Sequence, residues 1–217
     1  VFAFTAAPVT VFLSGIIGSQ FSPVKSLATL PMALSIVGIA IFAIFAAKVM
    51  SIIGRRAGFM LASVVSSLSS LLAAYAIINQ SFILFNFSCF LLGAGVAFSH
   101  QYRFAAVETV KKDMAPKAIS IILLAGIGSA FIGPNVANIT KDIISEHLYA
   151  GSYIALAALT LTSTIFLLFY EDGHKPNRIH KKIKRSYLEL LSPPRFLQAL
   201  VASAFAYAVM SFLMTAT

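Results

Sequence analysis

Apolar residues fall in seven long runs, each parted from the next by a short polar stretch. The runs cover residues 1–19, 26–46, 58–78, 82–102, 118–139 and 148–169, and a last one begins near Phe196 and lasts to Thr217. A helix rises 1.5 Å per residue, so about twenty residues cross a hydrocarbon layer of ~30 Å. Most runs are apolar on all sides, as spans touching both lipid and neighbouring helices should be. The alternating segments of roughly ten residues that build a transmembrane barrel are absent. The pattern predicts an all-α membrane protein with six spans, a polar segment over 170–195 and a seventh span. The third run is rich in small residues (Ser63, Ser66, Ser67, Ser69, Ser70, Ala73 and Ala74), which predicts close helix contact there.

Composition agrees with this reading. Hydrophobic residues make up 59% of the chain and charged residues 11%, whereas soluble domains carry roughly 25% charge. The net charge of +9 would suit nucleic acid in a soluble protein. Here the basic residues sit between spans, where they set orientation. Lys25 and Lys141 follow runs one and five, and the other fourteen Lys and Arg follow runs two, four and six. Positively charged loops stay in the cytoplasm. The expected topology is therefore multi-pass in the inner (cytoplasmic) membrane, with loops 2–3, 4–5 and 6–7 cytoplasmic. The basic stretch His174 to Arg185 is expected to lie on anionic headgroups, with Leu188 to Leu191 as a short interfacial helix. Both chain ends lie within apolar runs and there is no initiator Met, as expected of part of a longer protein.

Two stretches carry recognisable patterns. Between runs two and three stands Ala47-Lys48-Val49-Met50-Ser51-Ile52-Ile53-Gly54-Arg55-Arg56. In run five stands Ser129-Ala130-Phe131-Ile132-Gly133-Pro134-Asn135-Val136-Ala137-Asn138. The first, with its Gly-Arg-Arg end after the second span, resembles the loop pattern G-x-x-x-D-R-x-G-R-R of the major facilitator superfamily. Ala47, Ser51 and Ile52 replace its first Gly, its Asp and its first Arg. The second resembles the family's G-x-x-x-G-P-x-x-G-G motif and keeps Gly133-Pro134, with small residues at Ser129 and Ala137. A Gly-Pro pair permits a helix bend, and small residues four apart admit a neighbouring helix. In run four Gly93-Ala94-Gly95 matches a family G-x-G, while Cys89 and Leu92 stand where antiporter members carry Arg and Gln.

The resemblance implies an N-terminal six-helix bundle over 1–169, a cytoplasmic basic linker over 170–195, and a seventh helix over 196–217 that starts a C-terminal half. It implies secondary active transport by alternating access. Gly54, Arg55, Arg56, Arg103, Glu108 and Lys117 would form a cytoplasmic latch, with Glu108 paired to Arg55, Arg56 or Lys117. Spans 1, 4 and 7 line the central cavity in the family. Thr5, Thr10, Ser14, Asn86, Ser88, Gln198 and Tyr207 are therefore candidate substrate contacts, joined by Asn135 and Asn138 of span five. Each of these also suits a plain helix–helix hydrogen bond. All seven acidic residues lie outside spans one to six, so proton coupling would use His100 or a residue outside this stretch of chain; a proton or sodium ion is the expected partner. Neutral, aromatic-rich spans suit a small organic metabolite or drug-like compound. A different class also fits the size: a six-span substrate-capture subunit of an ATPase-energised importer.

Enzymes fit badly. There is no G-x-S-x-G, H-E-x-x-H, P-loop or pair of intramembrane carboxylates. His147, His174 and His180 lie in loops, and the single Cys89 can form no intrachain disulfide. No metal or cofactor is expected.

Overall fold

The computed structural model describes residues 1–170 and 193–216; the side chains of Arg195 and of 211–216 are not described. The basic stretch His174 to Arg185 and the segment Leu188 to Leu191 lie outside the described residues. Among the described residues eight α-helices follow in order: α1 Ala6–Phe21, α2 Leu30–Ile53, α3 Arg55–Ile78, α4 Phe82–Ser99, α5 Tyr102–Thr109, α6 Ala115–Ile139, α7 Ala150–Leu168 and α8 Pro194–Ala216. A 3-10 turn at Phe2–Phe4 leads into α1. Six segments are long and apolar enough to cross a membrane, and no strand occurs among the described residues. The chain divides into the units Val1–Gly173 and His174–Thr217, the second containing α8.

Helix starts follow local chemistry. Pro31 and Pro116 sit in the first turns of α2 and α6, where no backbone donor is needed. Ser81 caps α4 by accepting from the Leu84 amide at 3.4 Å.

Two expectations change. The basic stretch 47–57 is helical on both sides, and the α2–α3 turn is the single residue Gly54, at φ 90° and ψ 165°. Those angles are open to glycine and strained for other residues. The fourth span ends at Ser99 rather than 102, and the expected polar loop contains the helix α5.

Within the first unit, α4 packs between α2 and α3, and α3 packs on α7. At the α2–α4 crossing Gly38 faces Gly93. A Cβ on Gly38 would collide with the Phe90 carbonyl, and one on Gly93 with the Ser35 carbonyl, so the two backbones touch. The α3–α7 seam is polar. Ser163 donates to the Thr160 carbonyl (2.6 Å) and receives from Ser63 (2.7 Å), while Ser67 donates to the Ala157 carbonyl (3.1 Å). In lipid such bonds replace water as partner, each worth roughly 0.6 kcal/mol. The larger core joins Leu13 and Ile17 of α1 to Phe85, Cys89 and Leu92 of α4 and Tyr153 of α7. A smaller core at the opposite end joins Met50, Phe59, Phe98, Ala105 and Leu167. This second end, where Gly54 lies, is the basic end.

Candidate functional site

The basic end is built around the first turn of α3. Arg55 and Arg56 open that helix, where the helix dipole opposes positive charge, so both need acceptors. Arg55 finds Glu108 at the end of α5. Its Nε donates to Oε2 at 3.0 Å and its Nη2 to Oε1 at 2.6 Å. This two-pronged geometry is specific to a guanidinium and a carboxylate. Arg56 Nη2 donates to the Leu168 carbonyl at 2.6 Å. That carbonyl belongs to the last turn of α7, the negative end of its dipole, so the cation is well placed. Arg55 Nη1 also lies 3.7 Å from the sulfur of Met50 in α2. One short turn thus ties α2, α3, α5 and α7 together. Arg55 is 23% exposed and Glu108 57%, so the pair contributes under about 1 kcal/mol to stability. A tie that weak opens and closes easily, which suits a reversible closure.

An aromatic layer lies beneath the ion pair. Phe59, one helical turn along from Arg55 and fully buried, stacks on Tyr102 at 4.0 Å and 11°. Tyr170 meets Phe59 edge-on at 6.4 Å, and Phe4 tilts against Tyr102 at 5.7 Å. Of the other basic-end candidates, Arg103 and Lys117 are exposed, and His100 is exposed in the turn after α4. The structure joins Glu108 to Arg55.

The membrane-embedded candidates separate into two groups. Thr5, Thr10, Ser14, Asn86 and Ser88 are buried within the bundle. Thr5 and Ser88 donate to the Phe2 and Phe85 carbonyls three residues back, and Asn86 Nδ2 donates to the Phe82 carbonyl. The hydroxyls of Thr10 and Ser14 and the Oδ1 of Asn86 have no hydrogen-bond partner. Asn135 and Asn138 are instead exposed on α6, with Asn135 Nδ2 donating to the Phe131 carbonyl at 2.7 Å. Gln198 and Tyr207 lie on α8. Ser129, Gly133 and Ala137 form one buried stripe of α6, and a Cβ at Gly133 would come within 3.1 Å of Val9 of α1. Pro134 sits inside α6 without interrupting it. The stripe is a packing face for α1.

Sequence reasoning missed the aromatic layer and a cavity beside it. The cavity holds about 330 Å³ and is walled by Phe2, Phe4, Tyr102, Ile122, Ser163 and Phe166, among others. Phe2 and Phe166 stack at 5.8 Å and 20°. The available signal was the recurrence of Phe and Tyr before α1 and near the basic-end termini of α3, α4 and α7. Among the described residues no group of three or more His, Cys, Asp or Glu is placed to hold a metal ion.

Comparison with known proteins points to one family. A family model described as the Major Facilitator Superfamily matches residues 1–217. The riboflavin transporter RfnT of Brucella anthropi is 34% identical over 215 residues, which is 98% of this chain and 54% of that protein. Two uncharacterized MFS-type transporters of Bacillus subtilis are also similar. YdeG is 30% identical over 166 residues (75% of this chain, 38% of its own), and YddS is 28% identical over 149 residues (67% and 34%). The chain spans about half the length of the first of these relatives and less of the other two. No solved structure matches.

Proposed function

The chain belongs to the major facilitator superfamily, and on that premise we propose that it forms the first half of a secondary transporter for a riboflavin-like solute. The observation that carries this reading is the 34% identity, over 98% of the chain, to a transporter named for riboflavin. The chemistry is compatible. Riboflavin is neutral, with a flat ring and a hydroxylated tail, and spans one to six contain no acidic residue. The amides of Asn135 and Asn138 and the unpartnered polar atoms of Thr10, Ser14 and Asn86 offer neutral hydrogen bonds. Gln198 and Tyr207 would join them from α8.

Alternating access in this family rocks two halves about a midplane site. The partner is therefore a second helical half of the same protein. By the loop charges, the basic end faces the cytoplasm. The Arg55–Glu108 pair serves as the cytoplasmic latch, with Gly54, Arg56, Arg103 and Lys117 as its other candidate members. His100 is the ionisable candidate for proton coupling.

Uptake tests this. Cells that cannot make riboflavin, expressing the intact protein, should accumulate labelled riboflavin, and unlabelled riboflavin should compete. Accumulation no greater than in cells lacking the protein would overturn the reading.

A further inference from the structure

The cavity at the basic end is lined by none of Thr10, Ser14, Asn86, Asn135 and Asn138. It is formed where the Phe2–Phe4 turn, α5, α6 and α7 meet. We propose that it is a second binding place on the transport path, a vestibule that takes the flat aromatic ring of the solute. This rests on the riboflavin-like reading of the substrate.

Three observations carry it. The first is size: about 330 Å³ is at the low end of the ~300–1,000 Å³ typical of small-molecule sites. That volume admits a fused ring and leaves a hydrophilic tail outside. The second is the wall. Phe2 and Phe166 are already stacked on each other, and Tyr102 is held between Phe4 and Phe59. Rings fixed in advance lose little freedom on binding, and ring faces favour offset stacking with another aromatic plane. Ser163 spends its hydroxyl on Thr160 and Ser63, so that part of the wall does not call for a strongly polar ligand.

The third is what the walls touch. Tyr102 stacks on Phe59, one turn from Arg55, and Leu167 of the same wall precedes Leu168, whose carbonyl holds Arg56. A ring seated in the cavity therefore presses on the layer beneath the Arg55–Glu108 pair. Occupancy and closure of the pair are linked, and such a linkage is reciprocal.

The test uses the intact protein in nanodiscs and lumiflavin, the ring system without its tail, followed by flavin fluorescence. Phe166 is 62% exposed, so its truncation removes a ring face without opening the core. Phe166→Ala should weaken lumiflavin binding about five- to tenfold, while Phe166→Tyr should stay within about twofold of wild type. Riboflavin uptake by Phe166→Ala should show a raised KM at unchanged expression. Lumiflavin affinity unchanged in both Phe166→Ala and Phe2→Ala would overturn the vestibule, and would leave the cavity to an acyl chain or another occupant indifferent to ring faces. The two readings fail separately. A wild-type protein that takes up no riboflavin sinks the transport reading. One that takes it up, but whose variants bind lumiflavin normally, sinks only the vestibule.

Discussion

Helices α4 and α6 have nearly the same mean hydropathy, yet 67% of the apolar stretch of α4 is buried within the bundle and only 11% of that of α6. The difference lies in the neighbours: α4 packs between α2 and α3, whereas α6 meets α1, α5 and α7 along a narrow stripe. On α4 the buried positions include Ser88, Cys89, Gly93, Ala94, Gly95, Ala97 and Ser99. On α6 the buried residues are Ser129, Gly133 and Ala137, whereas Ile121, Leu123, Leu124, Ile127 and Phe131 point outward. In water the large apolar side chains would turn inward. In lipid nothing drives them in, and small residues that let backbones touch take the interior. Burial in this bundle is therefore not read from apolarity alone.

The sharpest way to break that comparison is to enlarge one residue on each helix. Gly93→Leu drives a side chain into the Ser35 carbonyl and should leave no stable folded protein, since even modest overpacking costs about 1–3 kcal/mol. Leu124→Ala on the open face of α6 should change stability by less than about 0.5 kcal/mol. Thermal unfolding of the intact protein in detergent reads both, and equal losses would refute the contrast.

Next in size is the basic end, where Phe59 is a fully buried ring. Phe59→Ala removes the stacking partner of Tyr102 and should destabilise by about 3 kcal/mol, again by thermal unfolding. A loss under about 1 kcal/mol would mean that the aromatic layer is peripheral.

The small seam comes third. Ser163→Ala removes the partner of Ser63 and should cost roughly 0.6 kcal/mol, with Ser63→Ala adding little more in the double variant, as expected of one shared bond.

The smallest stability effect belongs to the ion pair. Arg55→Gln and Glu108→Gln should each change unfolding by less than about 1 kcal/mol, less still in high salt, while altering transport rate. A charge-swapped Arg55→Glu, Glu108→Arg variant should recover part of that rate. If each single variant transports at the wild-type rate, the pair is no latch.

Much of the architecture was legible in the chain. Six spans stand out because apolar runs must be long enough to cross a bilayer. The small-residue stripe of α6 showed in the four-residue spacing of Ser129, Gly133 and Ala137. A meeting of Glu108 with Arg55, Arg56 or Lys117 was implied by the family resemblance of the Gly54-Arg55-Arg56 turn, and the structure shows Arg55 as the partner. Other features were not legible. A one-residue turn at Gly54 depends on a backbone angle that composition does not announce, and α5 was hidden because its polar residues read as loop. The span hydroxyls illustrate a further limit. Thr5 and Ser88 turn back onto their own helix, and sequence alone does not tell a self-bonded hydroxyl from one that faces a solute. The aromatic layer and the cavity join residues far apart in sequence, such as Phe59 with Tyr102 and Phe2 with Phe166, so no local pattern marks them.

Transport of a riboflavin-like solute, proposed above from the likeness to RfnT, is open to a direct test. Counterflow tests it most directly. The purified intact protein is placed in nucleotide-free liposomes preloaded with unlabelled riboflavin and diluted into a trace of labelled riboflavin. The account expects a transient accumulation of label that protein-free liposomes lack. No accumulation without ATP and a separate ATPase, or accumulation that preloaded riboflavin does not enhance, would contradict it.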